Sequence, residues 1–120
     1  MINANLDPAY TGKLTLNFRI NRAGSVTFTF LDASGNSYPV SDDEFELFVK
    51  KNPGNKKDVF SLLTSYSGLG LTFPAANKLT ATVTTYQTNI TEGEYYWELL
   101  NLTTNKTMLS GPANFYFENE

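Results

Sequence analysis

Apolar and polar residues alternate along several short stretches of this chain. In residues 13–20, the apolar members of the alternation are Leu14, Leu16, Phe18 and Ile20. The same period of two recurs in residues 25–30, 45–50, 79–84 and 95–99. Because successive side chains of a strand point to opposite faces of a sheet, this pattern predicts strands with one buried and one solvated face.

Turn-forming residues separate these stretches. Residues 21–24, Asn-Arg-Ala-Gly, predict a hairpin turn between the first two strands, and residues 52–55, Asn-Pro-Gly-Asn, predict a turn before a strand at 59–63. Pro39 makes residues 38–40 a short edge strand, and residues 65–77, where Pro74 ends an apolar run, are predicted to hold a short irregular strand. Strands at 108–110 and 115–117 complete the series.

About seven or eight short strands, with no stretch of sustained helical period, predict an all-β antiparallel sandwich. With 120 residues, 41% of them hydrophobic and 14% aromatic, the chain can fill one core. We therefore predict a single domain over residues 13–120. Residues 1–12 are predicted to be an N-terminal arm, either flexible or ordered on a partner. If the arm binds a partner, deleting it should abolish the association and leave the fold intact.

The composition argues against several classes of function. A formal net charge of -3 disfavours a nucleic-acid binder, and the absence of a leader-like start or a long apolar run disfavours secretion and membrane anchoring. Without His or Cys, the chain has no Ser-His-Asp or Cys-His arrangement and no zinc ligands of either type. Residues 42–44, Asp-Asp-Glu, lack EF-hand spacing and are interpreted as a solvated loop. We predict no enzyme activity, no catalytic residue, no cofactor and no metal site.

Two groups of residues are candidates for contacts with a partner. The first is basic and flanks the 52–55 turn, and it comprises Lys50, Lys51, Lys56 and Lys57. These lysines fit either a contact with an acidic partner surface or a soluble loop tip.

The second group is apolar and follows from the alternation itself. If the apolar residues at 45, 47, 49, 95, 97 and 99 point inward, then Phe48, Tyr96 and Leu100 point outward, and Tyr116 likewise opposes Phe115 and Phe117. Large apolar groups on an outer face indicate a protein interface or a strip on which sugars stack. The alternative is that loops or the arm cover them.

Residues 91–97, Thr-Glu-Gly-Glu-Tyr-Tyr-Trp, resemble the tyrosine corner of immunoglobulin-like domains. The corner residues are Gly93, Tyr95 and Trp97, and Trp97 stands where antibody domains place a Cys. The motif lets a buried Tyr keep its hydroxyl bonded to the backbone. This resemblance implies an immunoglobulin-like antiparallel β-sandwich of about seven to eight strands. An ordinary core Tyr95 is the alternative.

Three segments, residues 45–54, 93–99 and 104–111, resemble small immunoglobulin-like domains of tailed-phage virions. They are similar to the N-terminal domain of phage baseplate upper proteins, although here no long fibre-forming region follows. The resemblance implies a virion protein, made in the bacterial cytoplasm, that binds other capsid or tail proteins in many copies. It would decorate the capsid, connect a head fibre, or belong to the tail or baseplate.

Two other functions stay open from the sequence. One is a carbohydrate-binding module in which Phe48, Tyr86, Tyr96 or Tyr116 stacks on a surface glycan. The other is an extracellular adhesion or pilus-associated sandwich, which a signal peptide in the full reading frame would indicate.

Overall fold

The strands form two sheets that pack face to face. The computed structural model describes residues 2–6, 12–52, 54, 58–64 and 70–117. Within these residues there are ten strand segments: β1 (Ile2–Leu6), β2 (Gly12–Lys13), β3 (Leu16–Arg19), β4 (Gly24–Phe30), β5 (Phe45–Lys50), β6 (Phe60–Leu63), β7 (Leu71–Ala75), β8 (Lys78–Val83), β9 (Gly93–Asn101) and β10 (Lys106–Tyr116). The described part of the chain holds no helix long and apolar enough to cross a membrane.

The smaller sheet has the strand order β1-β4-β8-β7 and the larger one β2-β10-β9-β5-β6, with β3 also paired to β10. Both β2 and β3 run parallel to β10, whereas β10, β9, β5 and β6 are antiparallel neighbours. The predicted all-β sandwich is confirmed. The larger sheet is the part of the fold that displays the candidate interaction residues.

The core lies between the sheets and is rich in aromatic rings. Phe28 of the smaller sheet stacks on Trp97 of the larger one with ring centroids 5.7 Å apart, and Phe30 packs against Phe45 at 6.1 Å. Each large apolar side chain that the alternation buries here contributes about 1.5–3 kcal/mol. Pairs of aromatic rings in such geometries add a smaller, geometry-dependent stabilisation.

The predicted hairpin at residues 21–24 is wrong, because β3 and β4 belong to different sheets. The turn instead passes from one sheet to the other, and Thr88 holds it there. The Thr88 hydroxyl accepts a hydrogen bond from the Arg22 amide at 3.0 Å and donates one to the Arg22 carbonyl at 2.9 Å. Alternation identifies a strand but not the sheet to which it belongs, which is why the sequence pattern was compatible with both connections.

Other strand boundaries also differ from the predictions. Residues 38–40 form no strand, since the backbone amide of Val40 bonds to the Ala76 carbonyl at 2.7 Å outside any ladder. The predicted strands at 108–110 and 115–117 are one strand, β10, which ends before Phe117, and this residue is 55% exposed. The irregular strand predicted within residues 65–77 is β7, an edge strand that contains Pro74 where its register shifts.

The N-terminal region takes part in the smaller sheet. Strand β1, which falls in the predicted arm, pairs in parallel with β4 from Ile2 opposite Val26 to Leu6 opposite Phe30. Residues 7–11, the rest of the connection to β2, lie outside the described residues. The division into an arm and a domain beginning at residue 13 stays a prediction.

Candidate interaction face

The outer face of the six-stranded sheet carries most of the predicted interface residues. Along β5 and β9, buried and half-exposed residues alternate strictly from Phe45 to Lys50 and from Tyr95 to Leu100. We use "outer face" for nine of the outward residues of β5, β9 and β10, namely Glu46, Phe48, Lys50, Glu94, Tyr96, Glu98, Leu100, Pro112 and Tyr116. Phe48, Tyr96 and Leu100 are half-buried even though they point away from the core.

The strand register places each apolar side chain beside a charged one. Phe48 lies opposite Glu98, and Leu100 lies opposite Glu46. On the same face, Tyr96 has Lys50 on one side and Pro112 on the other. The apolar groups are therefore distributed through a charged surface and do not form one continuous apolar patch. Such a mixture is typical of protein interfaces that form and dissociate.

Phe48 is partly covered by its own neighbour on β5. The ammonium of Lys50 lies 4.8 Å from the centroid of the Phe48 ring, a cation–π contact. The contact holds the positive charge close to the apolar surface. A sugar that stacked on this side of the ring would have to displace the ammonium.

Glu46 sits between two leucines of the neighbouring strands, Leu63 on β6 and Leu100 on β9. Partial burial raises the pKa of its carboxyl group, the negative charge of Asp58 raises it further, and Lys50 lowers it. A carboxylate in this position costs free energy in the folded protein, because part of its hydration is lost and a like charge is nearby.

Glu98, near the centre of the outer face, is held by a short hydrogen bond. The Thr107 hydroxyl donates to the Glu98 carboxylate at 2.6 Å. Hydrogen bonds to an ionised group are among the stronger ones, so this contact fixes the carboxylate against β10. The Glu98 charge thus forms a defined feature of the surface.

A groove opens next to Tyr96 at one end of the outer face. It has a volume of about 250 Å³ and is lined by Lys13, Lys51, Asn52, Glu94, Tyr95, Tyr96, Ser110, Gly111 and Pro112. The ammonium of Lys51 lies 4.4 Å from the centroid of the Tyr95 ring. Of the four lysines predicted to form a basic hairpin end, the structure describes Lys50 and Lys51, whereas Lys56 and Lys57 lie outside the described residues.

Two other candidate contact residues, Tyr116 and Tyr86, lie away from the groove. Tyr116 is 37% exposed and pairs with Arg19 at the far end of β10. Tyr86, in the loop after β8, is 87% exposed. The fold therefore groups Phe48, Tyr96 and Leu100 and leaves these two tyrosines apart from them.

Sequence reasoning did not identify Lys13, Asn52, Glu94, Ser110 and Pro112 as groove residues. The pairing of Lys13 with Ser110 and of Tyr96 with Pro112 brings them together. Only the register of strands distant in the chain carries this information. Among the described residues, no group of three or more His, Cys, Asp or Glu side chains is placed to hold a metal ion.

The strand order decides the fold class. Sandwiches of the immunoglobulin type place the first, second, fifth and fourth strands in one sheet and the third, sixth and seventh in the other. The order β1-β4-β8-β7 against β10-β9-β5-β6 follows that scheme, with β6 as an added edge strand. The fold is immunoglobulin-like.

Similar chains are found among solved structures. No family model and no curated protein matches the chain. Among solved structures, it is similar to one chain in the crystal structure of ICOS in complex with ICOS-L and an anti ICOS-L VNAR domain, with 10% identity over 90% of this chain and 56% of that chain and a TM-score of 0.45. It is also similar to the NK cell receptor Nkp44, a triggering partner in natural cytotoxicity, with 11% identity over 91% of this chain and 99% of that chain and a TM-score of 0.42. The chain spans little more than half the length of the first of these.

The structure gives the contacts of the three residues assigned to the tyrosine corner, Gly93, Tyr95 and Trp97. The Tyr95 hydroxyl donates a 2.7 Å hydrogen bond to the Thr91 carbonyl, four residues upstream, and burial raises the Tyr95 pKa. Gly93 begins β9 with a φ of 153°, next to the Lys51 ammonium. Trp97 is fully buried in the core. Tyr95 and Trp97 thus stabilise the scaffold on which the outer face is built.

Proposed function

We propose that this chain is a non-enzymatic accessory domain of a tailed-phage virion that binds another virion protein through the outer face of its six-stranded sheet. The observation that carries the proposal is the position of Phe48, Tyr96 and Leu100, three large apolar side chains half-exposed on one face of the sheet. In the virion, the domain would decorate the capsid, connect a head fibre, or belong to the tail or baseplate.

The chemistry of the face supports a protein partner. Stable contacts depend on a few aromatic and aliphatic groups that become fully desolvated, surrounded by polar groups that exclude water. Tyr96 and Leu100 supply apolar surface that a partner would bury, and Lys50, Glu46 and Glu98 supply the surrounding charges. Since all five lie on neighbouring strands β5 and β9, little backbone entropy is lost when a partner binds.

The virion assignment rests on the sequence resemblance of residues 45–54, 93–99 and 104–111. A particle presents many identical sites, so weak contacts by each copy add through avidity. A small face of this kind is then sufficient for stable attachment, without a large interface in each copy.

Two measurements test the proposal. Mass spectrometry of purified virions from the phage that encodes the chain should detect it. Purified domain should also bind particles that lack it, and Leu100→Asp should lower this binding at least tenfold, whereas Leu102→Asp, on an exposed leucine of the turn after β9, should not. Tyr96→Ala and Tyr86→Ala form a second matched pair. Equal binding by Leu100→Asp and Leu102→Asp, in variants with unchanged thermal unfolding, would exclude the outer face.

A carbohydrate-binding or adhesion module is the second candidate, because Tyr96 borders a groove and Tyr86 is almost fully exposed. Phe48 is less suited to this function, because Lys50 covers one side of its ring. Binding on a glycan array that Tyr96→Ala abolishes, without any binding to particles, would favour this function over the virion role.

A further inference from the structure

The groove beside Tyr96 is basic on a protein whose net charge is negative. Its charged lining residues are Lys13, Lys51 and Glu94, and Lys50 lies opposite Tyr96 at its border. Within the described residues, neither Lys13 nor Lys51 forms a salt bridge. The groove therefore presents two ammonium groups and one carboxylate, that of Glu94, and is positive on balance, although the chain as a whole carries a net charge of -3.

Lys51 is held in a defined position. Its ammonium lies over the Tyr95 ring at 4.4 Å, and a β-carbon on Gly93 would approach it to 3.6 Å. A contact with the ring orients the charge without neutralising it, since the ring has no formal charge. The lysine is thus available to an anion while losing less side-chain entropy on binding than a freely rotating lysine loses.

The apolar part of the groove continues into the proposed interface. Tyr96 and Pro112 pair across β9 and β10 and form its wall. Along β9, Tyr96 is followed on the same face by Glu98 and then Leu100. A partner that covers Leu100 and Tyr96 therefore also reaches the groove.

We propose that the groove binds carboxylate side chains of the partner, so that the partner protein presents an acidic segment next to the apolar group that it packs on Tyr96 and Leu100. This inference rests on the proposed function and names the chemistry of its partner. Charge complementarity selects an anion, and continuity with the outer face selects a protein segment over a free small anion. Lys13 and Lys51 would contact the carboxylates, and the ring of Tyr96 would pack on their aliphatic stems.

The test uses a labelled peptide with six consecutive glutamates and a matched peptide with six glutamines. The full chain should bind the glutamate peptide more tightly, with affinity that falls as salt is added, because the Lys13 and Lys51 ammonium groups are solvent-accessible. Backbone amide NMR shifts should map to Lys13, Lys51, Asn52 and Tyr96. Lys51→Gln should lower the affinity by about 1.5- to fivefold, which is the range for one exposed charge pair.

Lys78→Gln is the matched control, because Lys78 lies on β8 in the other sheet. This variant should bind the glutamate peptide as the unmodified chain does. An equal loss in Lys78→Gln and Lys51→Gln would show that only net charge matters and would overturn the inference. Equal binding of the two peptides, or amide shifts confined to other parts of the surface, would overturn it as well.

A third ligand distinguishes a protein partner from an acidic polysaccharide. An oligogalacturonate of similar charge should bind more weakly than the glutamate peptide. Tighter binding of the oligogalacturonate, lost in Tyr96→Ala, would indicate that the groove binds a sugar acid and not a protein segment, and would overturn the inference. If particles bind the chain in a Leu100-dependent manner but the glutamate peptide does not bind, the groove inference fails alone and the proposed function stands.

Discussion

A side chain on Gly111 would overlap the carbonyl oxygen of Leu14, which lies closer to the Gly111 backbone than any β-carbon allows. The same carbonyl accepts a 2.8 Å hydrogen bond from the indole nitrogen of Trp97, the residue paired with Gly111 across β9 and β10. The Leu14 amide in turn donates to the Ser110 carbonyl at 3.0 Å. Leu14 lies in the break between β2 and β3, where its carbonyl binds the core residue Trp97.

Gly111→Ala should destabilise the protein by about 3 kcal/mol or more, since the methyl group must displace backbone and not a flexible side chain. Chemical denaturation followed by circular dichroism would measure the loss. Gly54→Ala is the matched control, because a β-carbon there meets nothing within 4 Å. Similar free energies of unfolding for the two variants would contradict the close approach.

Trp97→Phe should cost about 2–4 kcal/mol, because it leaves a cavity and leaves the partly buried Leu14 carbonyl without its donor. The chain has one Trp, so the variant loses its intrinsic indole fluorescence and circular dichroism must report the unfolding. A cost below about 1 kcal/mol would mean that the hydrogen bond to Leu14 adds little to stability.

The alternation of apolar residues was sufficient to predict the strands that build the core. Residues 45–50 and the central part of β9 were placed correctly, with Phe45 and Trp97 inward, because one-sided burial demands period two. The same signal did not show that β3 and β4 belong to different sheets. That distinction depends on contacts such as Thr88 with Arg22, which are 66 residues apart in sequence.

The candidate site could be predicted only in part, for a similar reason. Phe48, Tyr96 and Leu100 were assigned outward positions, since each stands between two core positions of its strand. The groove was not predicted because Lys13 and Pro112 join Tyr96 only through the pairing of β2, β9 and β10. Local sequence carries the direction of a side chain, whereas its cross-strand neighbours depend on register.

Tyr95→Phe should destabilise the protein by about 1–2 kcal/mol at neutral pH, because the Thr91 carbonyl loses its hydroxyl donor. The difference in free energy of unfolding between the two proteins should become smaller at alkaline pH. Burial raises the Tyr95 pKa above 10.0, so the folded protein favours the protonated phenol, and that stabilisation is lost as the pH rises from 10.0 through the folded-state pKa. Denaturation of both proteins between pH 8 and pH 11 would test this, and a difference that is constant with pH would contradict it.

Glu46→Gln should stabilise the protein at pH 7, because it removes a carboxylate that is partly buried between Leu63 and Leu100 and repelled by Asp58. The folded-state pKa of Glu46 lies above the ordinary value of 4.5, so the folded protein favours the protonated carboxyl group. The unmodified protein is stabilised by this preference at low pH and loses the stabilisation as the pH rises through the folded-state pKa. The gain should stay below about 1 kcal/mol, because the half-exposed group is screened by solvent.

The pH dependence separates this cause from a general effect of removing negative charge. The advantage of Glu46→Gln should be present at pH 7 and should vanish well below pH 4.5, where the carboxyl group is protonated in both the folded and the unfolded chain. Glu92→Gln, on an exposed glutamate before β9, serves as the control and should leave the free energy of unfolding nearly unchanged at both pH values. If the two variants gained equally at pH 7, net charge would explain the result and the local environment of Glu46 would not.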